Sequence, residues 1–206
     1  MKSIFSLFIL LPLNSKVILN LLIGFQVGFS SLILNIFSES YNTVCLLKNL
    51  QVQVETSLDY LYPLIFFLKK HSLTLFRTLI DLICYEVLNN KYILIYSLLN
   101  IENSQRMLIK IKVQEFNRNL LSITSLFSSA WWLEREVFDF YGLYFFCHKD
   151  LRRILLDYGF RGHPLRKNFP LTGFIELFYD DSIKKIMYDK VTLSQEYRTF
   201  FYINKT

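Results

Sequence analysis

Between Met107 and Val113, the apolar Met107, Ile109, Ile111 and Val113 alternate with Leu108, Lys110 and Lys112, a period of two that no helix can place on one face. The segment predicts a strand with one wet face, the kind found in antiparallel sheets covered on one side. Leu75 to Tyr85 and Lys91 to Leu99 are rich in β-branched and aromatic residues and are separated by Asn89-Asn90, which predicts two paired strands joined by a tight turn. Val44 to Val54, where Val52 and Val54 alternate with Gln51 and Gln53, predicts one more half-buried strand.

Two helices are expected beside these strands. Thr56 and Asp59 have capping-box spacing before the apolar run Leu58 to Leu68, and Pro63 places the true start of that helix near itself, because proline is tolerated in a first turn and not in an interior. Further on, Trp131, Glu134, Phe138 and Tyr141 recur at helical steps and mark one face of a helix over Ser129 to Tyr141, closed by Gly142. Glu134 then lies among aromatics, where an ionised carboxylate needs a cation or several hydrogen-bond donors; Lys149, Arg152 and Arg153 are the nearest cations. Arg135 and Asp139 are spaced as an i,i+4 ion pair on another face, whereas Glu134 and Glu136 project apart and cannot form a carboxylate dyad.

After Gly142 the grain of the chain changes. Gly159, Gly162, Pro164 and Pro170 exclude a long helix or an interior strand across Asp157 to Pro170, and an irregular segment of that length is usually functional. Gly173 to Tyr179 and Ile183 to Leu193 predict a hairpin across Asp180-Asp181-Ser182, followed by a tail that lies along a partner surface. At the other end, nothing between Lys16 and Glu39 is charged, but Asn20, Gln26, Ser30, Ser31 and Asn35 interrupt the apolar run. A membrane span needs about 20 apolar residues, so the broken run favours a helix packed on protein or at an interface. The expected fold is therefore α+β, a small mostly antiparallel sheet with packed helices followed by an extended C-terminal arm with a hairpin. Its parts are a hydrophobic N-terminal extension (1–40), an α+β domain (41–142) and a partner-binding arm (143–206).

A chain of 206 residues with 52% hydrophobic and 19% charged residues can bury a core without disulfide or metal staples. Its three cysteines, Cys45, Cys84 and Cys147, form no C-x-x-C pair, which argues against a disulfide framework or structural zinc. Cys147 reads as a small buried hydrophobe, and His163 as a histidine satisfied by the local backbone of a turn. Phosphate-binding glycine loops, H-E-x-x-H and cluster-type cysteine ladders are all missing from the sequence. The bias toward Leu, Ile, Phe, Asn, Lys and Tyr fits an AT-rich gene, organellar or from a bacterial symbiont, and the first arginine is Arg77, so no Arg-rich transit peptide is visible. The net charge of +6 admits nucleic acid, an anionic membrane or an acidic protein partner. Arg152, Arg153, Arg161, Arg166 and Lys167 interleave with Tyr158, Phe160 and Phe169, a pattern open to an organellar nucleic-acid-binding or ribosomal protein but favouring an arm docked on the carboxylates of a protein partner.

The same residues resemble the signature of the 30-kDa (subunit 9) family of respiratory complex I, the proton-translocating NADH:ubiquinone oxidoreductase. The likeness rests on Glu134-Arg135-Glu136, Asp139, Phe140-Tyr141, His148 and Arg152-Arg153-Ile154-Leu155, and continues through Asp150 to Phe160, Gly162 to Lys167, Phe169 to Gly173, Tyr179 to Asp181 and Gln195 to Arg198. The departures are Lys149, Asn168 and Lys190 to Leu193. The resemblance implies a core subunit of the hydrophilic arm that binds no cofactor itself, inside a complex that uses FMN, iron–sulfur clusters and ubiquinone. It implies a hetero-oligomer in which this chain packs on the quinone-cavity (49-kDa type) subunit, binds no nucleic acid and meets the membrane only indirectly, on the matrix face of the mitochondrial inner membrane. It carries a partner-binding role to Glu134, Arg135, Glu136, Asp139, His148, Asp150, Arg152, Arg153, Asp157, Tyr158, Gly159, Gly162, His163, Pro164, Arg166, Lys167 and Arg198, with no catalytic or metal residue. In that reading Glu134 and Glu136 fix the helix, while Arg152, Arg153, Arg166 and Lys167 dock the arm on its neighbour.

Overall fold

The structure, a computed structural model, describes residues 41–46, 51–72, 74–87, 91–114, 120–198 and 200. The N-terminal extension, the Asn89-Asn90 turn and the last residues of the tail lie outside them. In chain order the elements are β1 (Tyr41–Leu46), β2 (Val52–Thr56), α1 (Leu58–Lys70), β3 (Thr78–Glu86), β4 (Lys91–Asn100), β5 (Gln105–Gln114), α2 (Ala130–Tyr141), β6 (Ile175–Asp180) and β7 (Lys185–Lys190). Five strands form one sheet in the order β1-β2-β5-β4-β3, antiparallel except for the β2–β5 pair. The other two form a separate antiparallel hairpin.

Alternation decides which face of the sheet is covered. Met107, Ile109, Ile111 and Val113 of β5 are buried, as are Tyr92, Leu94, Tyr96 and Leu98 of β4, while Lys110 and Lys112 face the other way. In β3 the pairing jumps from Leu79–Leu98 to Asp81–Ser97, and this bulge lets Leu79, Leu82 and Cys84 all reach the same core despite their uneven spacing. Helix α1 packs its Leu61, Leu64, Ile65 and Leu68 stripe beside β5, and α2 packs against β3.

Several expectations need correction. Val44 to Val54 is two strands, with Val44 opposite Val54 and Leu46 opposite Val52. Folding back gives β2 a second hydrogen-bonded neighbour, which a single edge strand would lack. Helix α1 starts at Leu58, so Pro63 is interior; it sits on the exposed side, and the apolar stripe that begins at Leu61 outweighs the one amide bond that proline removes. No capping box forms there: Thr56 belongs to β2, and Ser57 occupies the N-cap position without a side-chain bond. In α2 the sheet-facing stripe is Ala130, Glu134 and Val137, whereas Trp131, Phe138 and Tyr141 are only half-buried. The packed body runs past Gly142, because Leu143 and Phe145 are core residues and Leu121 bridges Phe146. Cys147 is exposed, with φ of 64°, and is not a buried hydrophobe. The reason lies one residue on, where His148 turns into the protein.

Candidate partner-docking site

A helix ends with carbonyls that have no partner in the helix and with the negative pole of its dipole. At the C-terminus of α2 the arm supplies both the donors and the charge. His163 Nδ1 lies 2.9 Å from the Asp139 carbonyl, the Leu165 amide donates to Phe140 O at 3.3 Å, and Arg166 Nε donates to Tyr141 O at 2.6 Å. His163 is thus satisfied by backbone, but by the helix end and not by its own turn. Burial holds its imidazole below the ordinary histidine value. Gly142 makes this contact possible: its φ is +71°, and a Cβ there would stand 2.5 Å from both Arg166 Nη2 and His163 Nε2.

Asp139 anchors the stretch before the loop. Its Oδ2 accepts the consecutive amides of Ile154, Leu155 and Leu156 at 3.1, 2.9 and 3.0 Å, and Oδ1 accepts Arg153 Nη1 at 3.0 Å. Burial alone would raise this carboxyl, but the three amides and Arg153 outweigh it and hold it below the usual carboxylate range. Arg153 also donates to Gly162 O at 2.9 Å, tying the stretch before the irregular loop to the loop's middle. The expected Arg135–Asp139 pair does not form. Arg135 is buried, its guanidinium lies over the rings of Trp131 and Trp132 at 4.4 and 5.2 Å, and it donates to the carbonyls of Arg152 and Arg153. Both partners serve the arm because backbone donors and acceptors at fixed positions give each a fuller set of bonds than an exposed i,i+4 pair offers.

Glu134 is fully buried and takes its bonds from the segment before α2. Ser122 Oγ is 2.6 Å from Oε2 and the Ile123 amide donates to Oε1 at 2.8 Å. Among the described residues no lysine or arginine pairs with it; of the two ways to satisfy this carboxylate, the donors are realised and the nearby cations are not. Burial pushes its carboxyl up to about 7 against the pull of those two bonds. His148 Nε2 lies 3.9 Å from Oε2 and 3.2 Å from Trp131 O, while its Nδ1 accepts the Asp150 amide.

The remaining predicted residues point outward. Glu136 is exposed and makes no bond among the described residues, Arg152 pairs with Asp150 at the surface, and Lys167 reaches solvent while its amide donates to Glu86 of β3. Asp157, Tyr158, Gly159 and Arg198 are exposed, Gly162 is exposed at a φ of 106°, and Pro164 is half-buried beside His163. Arg153 and Arg166, read as docking cations, therefore staple the arm to its own domain. No motif or spacing in the sequence marks Ser122, Trp132 or Glu86; Ser122 and Glu86 meet Glu134 and the Lys167 amide only through the fold.

Beyond the staples, Asp157 to Arg161, Phe169, Leu171 to Ile175, Leu177 and Tyr188 line a cavity of about 800 Å³ open to solvent. Every residue of β7, and all of β6 except Asp180, is exposed on both faces of the hairpin, among them Ile175, Leu177, Phe178, Tyr179, Ile186 and Tyr188. An apolar surface of this extent is of the kind found at protein, membrane or ligand contacts. Among the described residues no group of three or more His, Cys, Asp or Glu is placed to hold a metal ion, and no helix is long and apolar enough to cross a membrane.

The chain matches the family described as respiratory-chain NADH dehydrogenase, 30 Kd subunit, over residues 52–175. It is 44% identical over 148 residues to NADH dehydrogenase (ubiquinone) iron-sulfur protein 3 of Beta trigyna, covering 71% of this chain and 77% of that relative. It is 46% identical over 144 residues to NADH-ubiquinone oxidoreductase subunit 9 of Prototheca wickerhamii, covering 69% and 74%. In fold it is similar to a chain of the membrane-bound sulfane sulfur reductase, an archaeal respiratory membrane complex, with a TM-score of 0.61 at 18% identity over 70% of this chain and 85% of that one.

Proposed function

Because this chain belongs to the 30-kDa subunit family of the respiratory-chain NADH dehydrogenase and is thereby a subunit of the NADH:ubiquinone reductase complex, we propose that it contributes structure there and no redox centre of its own. The α+β domain is the platform, and the arm grips a neighbouring subunit. The FMN, iron–sulfur clusters and ubiquinone of the complex are held by other subunits, and the neighbour gripped is the quinone-cavity (49-kDa type) subunit. The chain sits in the matrix-facing peripheral arm of the mitochondrial inner-membrane complex and meets the membrane through its partners.

One observation carries this reading. The inward side of the arm is fully engaged with α2 through Asp139, Arg153, His163 and Arg166, while its apolar hairpin and outward charges are left to solvent. A two-stranded hairpin without a covered face is marginal in water, so its stable form is the one seated on another protein. The division of the arginines also favours a protein partner over nucleic acid, since two of the cations that would track phosphates are occupied within the chain.

The test is to solubilise source membranes in mild detergent, resolve native complexes on a gel, and locate this chain against in-gel NADH oxidation. A photo-crosslinking residue at Tyr158, which is fully exposed, then identifies the neighbour. Co-migration with the large NADH-oxidising band and a cross-link to the quinone-cavity subunit are expected. Migration with ribosomes or as a free chain defeats the structural role, and a cross-link to a different subunit defeats the choice of partner.

A further inference from the structure

Fastening the arm to its own domain gives Asp139 and Arg153 a role but leaves Glu134 without one. This carboxylate lies where α2, the Ser122–Thr124 segment and His148 meet, with no lysine or arginine paired to it among the described residues. Its two oxygens are bonded differently. Oε1 accepts the Ile123 amide, a donor that cannot reverse. Oε2 faces Ser122 Oγ at 2.6 Å, and Ser122 Oγ in turn faces Thr124 Oγ1 at 2.8 Å, so Oε2 meets a chain of two hydroxyls that can each donate or accept.

That chain works in both directions. With Glu134 ionised, Thr124 donates to Ser122 and Ser122 donates to Oε2. With Oε2 protonated, Glu134 donates to Ser122 and Ser122 donates to Thr124. One proton enters at Thr124 Oγ1 and one arrives at Oε2, each hydroxyl passes on its own proton and receives another, and no hydrogen bond is left unmade. Thr124 is half-buried and Glu134 fully buried, so the row runs from the surface inward.

We propose that Glu134 is a proton-exchange site, reached from solvent through the hydroxyls of Thr124 and Ser122, and that its protonation sets how tightly the 120–127 segment and His148 are clasped to α2. The surrounding groups leave the charged form without a counter-cation. His148 receives the Asp150 amide at Nδ1, so its ring proton lies on Nε2, aimed at Trp131 O. From β4 the field of Tyr96 reaches Glu134; its hydroxyl is buried with no partner among the described residues, and Cys84 of β3 stands next along, both with their ionisation pushed up mainly by burial. On α2 itself Arg135 is turned toward the arm and Glu136 toward solvent, and Lys69 of α1 holds the far end of the segment through Leu126 O and the ring of Phe127. Burial outweighs the two donors, which by themselves favour the charged form, so the clasp is tightest while the carboxyl is protonated whether closed or opened to water, weakens as pH rises past the ordinary glutamate value, and levels off once the buried carboxyl has ionised near pH 7.

The test uses pH-difference infrared spectra and amide exchange on the full chain, with Glu134→Gln and Ser122→Ala beside it. A protonated-carboxyl band that falls to half near neutral pH and is missing from Glu134→Gln is expected. Exchange at Ile123, corrected for the intrinsic pH effect, should be several-fold faster above the transition in the native chain and unchanged by pH in Glu134→Gln. Ser122→Ala removes a bond that favours the ionised form, so its band should persist to higher pH. A band that titrates with the ordinary carboxylates, or survives in Glu134→Gln, overturns the proposal. If Glu134→Gln does not fold, an unmoved midpoint in Ser122→Ala overturns it alone.

Discussion

Glu134 and Asp139 are buried on one helix, yet their surroundings push them in opposite directions. Asp139 has four donors, and its carboxyl lies below the ordinary aspartate value. A lowered native value means that its stabilisation is complete above about pH 3.9 and is lost as pH falls through the lower native value. Asp139→Asn should flatten that acid limb and leave Arg153 and three amides short of an acceptor. Arg153 keeps 26% of its side-chain surface in water, so the loss should sit near the low end for a broken buried pair, about 3 kcal/mol. Urea denaturation from neutral pH down to about pH 3, with limited proteolysis of the arm, measures both effects; an unaltered acid limb would show that Asp139 does not carry it.

At the scale of elements, the end of α2 and the hairpin make separate predictions. Gly142→Ala forces an L-residue into the left-handed region and drives a methyl group against His163 and Arg166, so it should destabilise by about 1–3 kcal/mol. It should also detach the loop at 163–166, seen as faster cleavage at Arg161, while β4 and β5 keep their amide protection. Gly159 and Gly173 have nothing within 4 Å of a built Cβ, so alanine there tests strain alone. The hairpin has no covered face, and its amides at 175–190 should exchange much faster than those of β4 and β5 in the isolated chain. Within the assembled complex they should slow by roughly tenfold or more. Equal exchange in both states would argue that the hairpin is not the gripping surface.

For the whole molecule, the division of labour between platform and arm predicts what truncation does. The core from Val52 to Phe145 closes without the hairpin, so a chain ending at Pro170 keeps the staples of the loop and should fold with a melting transition close to that of the full chain. It should nevertheless be missing from the large NADH-oxidising complex on a native gel. Retention of the truncated chain in that complex would assign assembly to the platform.

The sheet was legible because period-two alternation is a local property: Met107 to Val113 and the strands before it declare their buried face without reference to anything distant. The same holds for Gly142, whose place after a helical stripe marks the helix end. The irregular loop declared itself through its glycines and prolines, and the family likeness picked out the residues around it. Other features depend on partners far along the chain. The split of Val44 to Val54 follows from the need of β2 for a second neighbour, and Pro63 is tolerated inside α1 because the stripe from Leu61 finds a core. Only the folded chain decides that Arg135 and Asp139 serve the arm instead of each other, that Arg153 and Arg166 turn inward while Arg152 and Lys167 face out, and that Glu134 rests on Ser122 and Ile123 rather than on an arginine. Periodicity fixes which face of an element is buried; the identity of what a buried charge meets is set by which backbone donors the tertiary fold brings within about 3 Å, and no local pattern encodes that.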